Sequence, residues 1–199
     1  MSFLSFKEVS LTEGFIPPHG GYKELLSYKK AQIVYDATVR FCARYIRRND
    51  RTYDQMVQAV RSGKQNIIEG SQASGTSKKM EIKLTSVARA SLEELLEDYR
   101  DFLRTRELEE WPLDHPYTKR LRELNRQADA DYDTFRKGIE HPDPAITANV
   151  IIGLIKLTTY LLDRQLKQLE KAFVEEGGLS ERMTSARLKE RNAQKRHES

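Results

Sequence analysis

The chain has 199 residues, 38% apolar and 32% charged, with a net charge of +4 and one cysteine. That length suits one domain with appendages, and a body of about 150 residues buries roughly 68–70% of its unfolded surface, which excludes disorder throughout. The lone Cys42 excludes an internal disulfide framework and a cysteine-rich zinc module, and no run of about 18 consecutive apolar residues is present. With no secretory signal in the first residues, the expectation is a soluble, cytoplasmic protein with no membrane partner.

The charge is unevenly spread. Residues 1–79 carry 13 Lys/Arg against 7 Asp/Glu, residues 80–178 carry 15 against 20, and residues 179–199 carry 6 against 3. A basic first half and a basic tail flank an acidic middle. Such polarity guides self-association or offers one face to a polyanion.

Residues 1–21 read as an irregular N-terminal arm, punctuated by Pro17-Pro18 and Gly20-Gly21. A first amphipathic helix is expected over about 22–48, where Leu26, Ile33, Ala37, Phe41 and Tyr45 recur at helical spacing. Asn49 to Thr52 supplies turn and N-cap chemistry, and a second helix is expected over about 52–72 with Tyr53, Met56, Val57, Val60 and Ile67 inward. Gly63 and Gly70 share a face of that helix. Each costs roughly 1 kcal/mol against alanine, so close helix–helix approach is the expected compensation. The third helix, about 77–110, holds its period from Met80 through Leu84, Ala88, Leu92, Leu95 and Tyr99 to Leu103, with no Gly or Pro inside.

Between residues 111 and 142, Tyr117, Leu121 and Leu124 suggest one short helix, followed by an acidic stretch (Asp129, Asp131, Asp133) without assigned structure. Asp143-Pro144 then reads as an N-cap followed by proline at the first helical position. The fourth helix, about 144–176, is apolar on more than one stripe, because Val150, Ile152, Leu157 and Tyr160 fall off the face made by Ile151, Leu154, Ile155 and Leu162. A helix apolar on two sides needs burial on two sides. An oligomer interface is therefore expected at Val150, Ile152, Leu157 and Tyr160; the alternative is that the 105–142 connection covers these residues within one chain. Residues 179–199 read as a polar, frayed tail. The fold expected is all-α: an up-down antiparallel four-helix bundle over 22–178, with an extra short helix in the connection between the third and fourth helices.

Motifs for chemistry are few. Gly70 to Ser77 approaches a phosphate-binding loop, but Thr76 stands where the lysine is required and a helix, not a strand, precedes it. His19, His115, His141 and His197 show no spacing for a metal, and Cys42 has no histidine partner. No catalytic residue, metal or cofactor is implied, and the expectation is a non-enzymatic protein. The basic residues Lys29, Lys30, Arg40, Arg44, Arg47, Arg48 and Arg51 concentrate on the first helix and its turn. Arg40, Arg44, Arg47, Arg48 and Arg51 share a side near the helix end, a stripe that suits nucleic-acid phosphates; the alternatives are a solvated face, or a seam pairing with Glu93, Glu94, Glu97 and Asp101 of a neighbouring helix.

Tyr28-Lys-Lys-Ala31, Phe41-Cys42, the segment Arg61-Ser-Gly-Lys-Gln-Asn-Ile-Ile-Glu-Gly70, Ala88-Arg-Ala-Ser-Leu-Glu-Glu-Leu95, Ala148-Asn149 and Leu161-Leu-Asp-Arg-Gln-Leu166 together carry a resemblance. Over roughly residues 22–175 the chain resembles the four-helix-bundle proteins of intervening sequences in bacterial large-subunit ribosomal RNA genes. The resemblance implies a bundle assembled as a ring, a pentamer, and no defined activity. Through its relatives, the accessory variability proteins of diversity-generating retroelements, it also implies nucleic acid and a reverse transcriptase as partners. Two functions follow as expectations: an oligomeric scaffold binding RNA or DNA through its backbone, or a protein-interaction module with no nucleic-acid role.

Overall fold

The structure, a computed structural model, describes residues 19–127 and 129–197. The expected arm falls mostly on residues 1–18, outside the described residues. The described chain is all-helical, with no strand among the described residues. After a 3-10 turn at Tyr22–Glu24, the long helices are α1 (Leu26–Tyr45), α2 (Arg51–Ala73) and α3 (Lys78–Arg104). Two short helices follow, α4 (Pro116–Asn125) and α5 (Tyr132–Ile139), then α6 (Pro144–Glu176) and α7 (Leu179–His197).

The helix starts are set by side-chain caps. The Asp50 side chain accepts the Thr52 backbone N–H, Ser77 accepts from Met80, and Asp143 accepts from Ala145 ahead of Pro144. Each satisfies a backbone donor that the first helical turn leaves free. The third helix ends six residues before its expected boundary of Glu110. There the Leu108 N–H bonds the Leu103 carbonyl and the Glu107 N–H bonds Arg104, with Glu107 at φ 56°. This is a Schellman turn closed without glycine, so no punctuation in the sequence marked it.

Two expectations for the less regular segments are corrected: a single short helix in the connection, and a frayed tail. The acidic stretch contains a second short helix, α5, because Asp131 and Thr134 form a reciprocal capping box. Tyr132, Phe135 and Ile139 then fall on one side, and the last two are buried. The tail expected to fray is helical as α7. From Leu179 to His197 it has no Gly or Pro and is rich in Arg, Lys, Glu and Ala, which lose little in a helix.

Helix α1 packs on α2 and α6, α2 on α3, and α3 on α6, closing a circuit around one core. The cross-helix pairs give the register. Cys42 meets Met56 while Gln32 meets Lys64, and Gly63 sits against Leu92 while Gly70 sits against Thr85. Ser27 bonds Gln165 while Tyr45 bonds the His141 carbonyl, and Arg89 pairs with Asp163 while Glu110 pairs with Lys156. Phe41, Tyr99 and Phe102 fill the centre, with ring centroids 4.8–4.9 Å apart from Phe41, and the Tyr99 hydroxyl donates to Thr38 Oγ1 at 3.2 Å. Above Gly63, Ser62 and Ser91 bond at 3.0 Å and Asn66 donates to the Ser62 carbonyl, so the polar residues of α2 form a network across to α3.

Helix α6 contains an 18-residue window of mean hydropathy 1.7, long and apolar enough to cross a membrane by length and composition, and 61% of that window is buried inside the fold. From Thr147 to Ile152 six consecutive residues are buried. That is the pattern of a central helix covered on every side.

The two α2 glycines should separate under mutation. A Cβ on Gly63 would lie 2.9 Å from Leu92 Cγ, whereas a Cβ on Gly70 would meet Leu84 and Thr85 at an ordinary 3.5 Å. Gly63→Leu is expected to cost about 1–3 kcal/mol by overpacking. Gly70→Ala is expected to stabilise by up to about 1 kcal/mol through helix propensity. Paired thermal melts check both signs.

Candidate nucleic-acid interface

Of the seven basic residues expected to bind nucleic acid, the structure gathers four. Arg44 closes α1, Arg47 and Arg48 lie in the α1–α2 turn, Arg51 opens α2, and all are exposed. Short polar turn residues and the Asp50 cap force the chain to reverse there, which places the two ends of a basic segment side by side. The Arg44 guanidinium lies over the Tyr45 ring at 5.2 Å and donates to the Glu140 carbonyl at 3.0 Å. Arg48 lies over Tyr53 at 5.0 Å.

Sequence spacing missed a further member. Arg106, just beyond the end of α3, lies over Phe102 at 3.9 Å and is exposed. Its field reaches the α1–α2 turn. Asp50 is held below the usual carboxylate range first by the Thr52 backbone N–H and hydroxyl, then by the Arg106 and Arg47 charges. Arg106 is 55 residues along the chain from Arg51, so no local pattern relates them.

The other three candidate residues are placed differently. Lys30 is a correction: it is 1% exposed, its Nζ donates to the Ala130 carbonyl at 3.0 Å and lies 5.1 Å from the Phe135 centroid. It ties α1 to the segment before α5, and burial holds its ammonium below the ordinary lysine value despite Asp131 nearby. Such a lysine contacts no phosphate. Lys29 pairs with Glu24 at the opposite end of α1, and Arg40 pairs with Glu140 at 3.3 Å. The alternative seam to α3 is not formed by these residues. Glu93, Glu97 and Asp101 pair instead with Arg89, Arg100 and Arg104 of their own helix.

The expected oligomer face is also corrected in part. Val150 is 8% exposed and Ile152 is 2% exposed, both covered within the chain by the connection carrying α4 and α5. Gly138 of α5 faces Val150, and Leu121 of α4 packs against Gly153. Leu157 is half-buried and Tyr160 remains 56% exposed, beside Leu113 at 67%. The connection itself is clamped by Asn149, which accepts the Trp111 backbone N–H at 2.7 Å and donates to the Glu109 carbonyl at 2.9 Å. Cavities of about 550 and 580 Å³ flank α4.

Among the described residues no group of three or more His, Cys, Asp or Glu side chains is placed to hold a metal. Cys42 is fully buried against Met56, 3.9 Å from its sulfur, and burial followed by the Asp98 charge pushes its thiol up to about 12. A thiol so protonated is a poor nucleophile. In the Gly70–Ser77 segment, Gly70 to Ala73 form the last turn of α2 and residues 74–77 connect it to α3, with His19 packed against Gly75.

On α3, away from the arginines' own pairs, Asp98 is half-buried beside Glu94 and Asp101. Burial first, then these two carboxylates, raise its carboxyl to about 6. No protein-family model, curated protein or solved structure matches this chain.

Asp98 gives a pH prediction. Its folded pKa lies above its unfolded one, so its favourable contribution is full below about pH 4 and disappears as pH rises through about 6. Asp98→Asn should therefore raise the melting temperature at pH 7 and leave it nearly unchanged near the unfolded carboxylate value of about 3.9. Melts across that range check the crossover.

Proposed function

We propose that the protein is a non-enzymatic helical scaffold that holds the phosphate backbone of RNA or DNA on the arginine-bearing end formed by the α1–α2 turn and the end of α3. The single observation that carries this reading is the convergence of Arg44, Arg47, Arg48, Arg51 and Arg106, three of them stacked on aromatic rings. Stacking restrains the long side chains while leaving guanidinium N–H groups free to donate. Planar guanidinium forks suit phosphate oxygens, and contacts of this kind position a nucleic acid without reading its sequence. The registers of α1, α2, α3 and α6 support an up-down antiparallel four-helix bundle as the frame, with α4 and α5 as an inserted strap.

The expected outcome is salt-dependent binding. With about five phosphates neutralised, affinity for RNA or DNA should fall by roughly two to three orders of magnitude between about 50 and 200 mM salt. Replacing Arg44, Arg47 and Arg48 together with Glu should abolish binding and leave the helical circular dichroism intact. An unaltered gel shift with this triple variant would defeat the reading.

A second reading, an assembly module, is favoured by one surface. Leu113, Leu157 and Tyr160 form an apolar edge beside α4, and such an edge on a soluble fold marks a contact. The ring of identical copies implied by the family resemblance would use it. Sedimentation equilibrium at micromolar concentration should then give a multiple of the monomer mass, and Tyr160→Glu should return the monomer. A monomer in the wild type removes this reading.

A further inference from the structure

The cavity between α4, α5 and α6 is bounded by Trp111, Tyr117, Phe135, Lys137 and His141, with Val150 at its base, and has a volume of about 550 Å³. That lies within the roughly 300–1,000 Å³ range of small-ligand pockets. Three features give it a chemical character. The first is aromatic. Trp111 and His115 stack at 4.7 Å with planes 12° apart, and Tyr117 lies against both at 5.2 and 5.4 Å. Tyr117 is 58% exposed, so this platform is open at its edge. The second is the polar rim. Lys137 is exposed and has no ion-pair partner among the described residues, unlike Arg136 beside it, which pairs with Asp133. His141 accepts the Asp143 backbone N–H at Nδ1, which leaves Nε2 to carry the proton and donate. The third is position. Arg44 donates to the carbonyl of Glu140 and Tyr45 to that of His141, so the cavity and the arginine end share the α5–α6 turn.

We infer that this cavity takes one unstacked base of a single-stranded nucleic acid, with Trp111 and Tyr117 as the stacking surface and Lys137 on the adjoining phosphate. This rests on the proposed backbone binding at the arginine end and deepens it, because it selects single strands over duplexes. An aromatic platform next to cations is what unpaired bases and their phosphates require, since every base offers a π-face and every linkage a negative charge. The platform is held for that purpose by Asn149, which fixes the Trp111 backbone to α6 on one side and the Glu109 carbonyl on the other. A neutral apolar ligand would leave Lys137 unmatched, and an inorganic anion would leave the rings unused.

The chain has one tryptophan, Trp111, which lines both cavities beside α4, so its fluorescence reports on this region and the variants below tell the two cavities apart. Titrating the full chain with adenosine 5′-monophosphate should quench it saturably, whereas inorganic phosphate and ribose 5-phosphate should not. A single-stranded oligonucleotide should quench it too, and an abasic strand of equal length should bind without quenching. Lys137→Ala should weaken the nucleotide by about tenfold, the loss of one charged hydrogen bond. Arg122→Ala, on the cavity across α4, should leave the affinity unchanged and shows which cavity is used. Absence of quenching by both the nucleotide and the oligonucleotide, or loss of quenching in Arg122→Ala but not Lys137→Ala, overturns the inference. Abasic-strand binding that persists in that case leaves the backbone reading standing; failure of the abasic strand to bind at all sinks that reading separately.

Discussion

Burying α6 is the constraint from which the architecture follows. From Thr147 to Ile152 six consecutive residues are out of water, and Leu154, Ile155, Thr158 and Leu162 continue the burial. An α-helix turns through 3.6 residues, so six buried in a row leave no solvent-facing side. Removing each aliphatic from water is worth roughly 1.5–3 kcal/mol, and that gain requires neighbours all round. Helices α1 and α3 cover two sides. The strap of α4 and α5 covers the rest, with Gly138 against Val150 and Gly153 against Leu121 admitting close approach.

The strap explains why α6 need not be covered by another molecule at Val150 and Ile152. It also accounts for the polar groups buried with it. Lys30 donates to the Ala130 carbonyl and Asn149 joins the connector's backbone to α6, so each tether satisfies groups that burial would otherwise leave costly. Apolar cover remains incomplete at Leu157 and Tyr160, and there the surface keeps an unspent contact area.

The charges divide by the same geometry. On α3, acids and bases at helical spacing pair with each other and neutralise locally, as Arg100 does with Glu97 and Arg104 with Asp101. At the α1–α2 turn the arginines outnumber nearby acids and rest on aromatic rings instead. A surface with locally matched charges has little field at a distance, whereas unmatched cations at one end attract a polyanion.

The long helices were legible because their signal is local. Apolar residues at three-to-four spacing, the Asn49 to Thr52 turn, Asp143-Pro144 and the α2 glycines each act within a turn or two of the chain, and the structure bears out those helices and both glycine contacts. The capping box at Asp131 is equally local and present in the sequence, though it lies in an acidic stretch whose charges give no helical period. The end of α3 was not, since Glu107 closes it where glycine ordinarily would. Which lysine is buried, which arginine joins the turn from α3, and what covers the second stripe of α6 were decided only in three dimensions. Helical periodicity tells which side of a helix is apolar, but not what lies against it. Lys30 sits on α1 as a basic residue like its neighbours until the strap closes over it, and Arg106 belongs to the arginine end only because α3 packs antiparallel to α2 and stops beside Asp50.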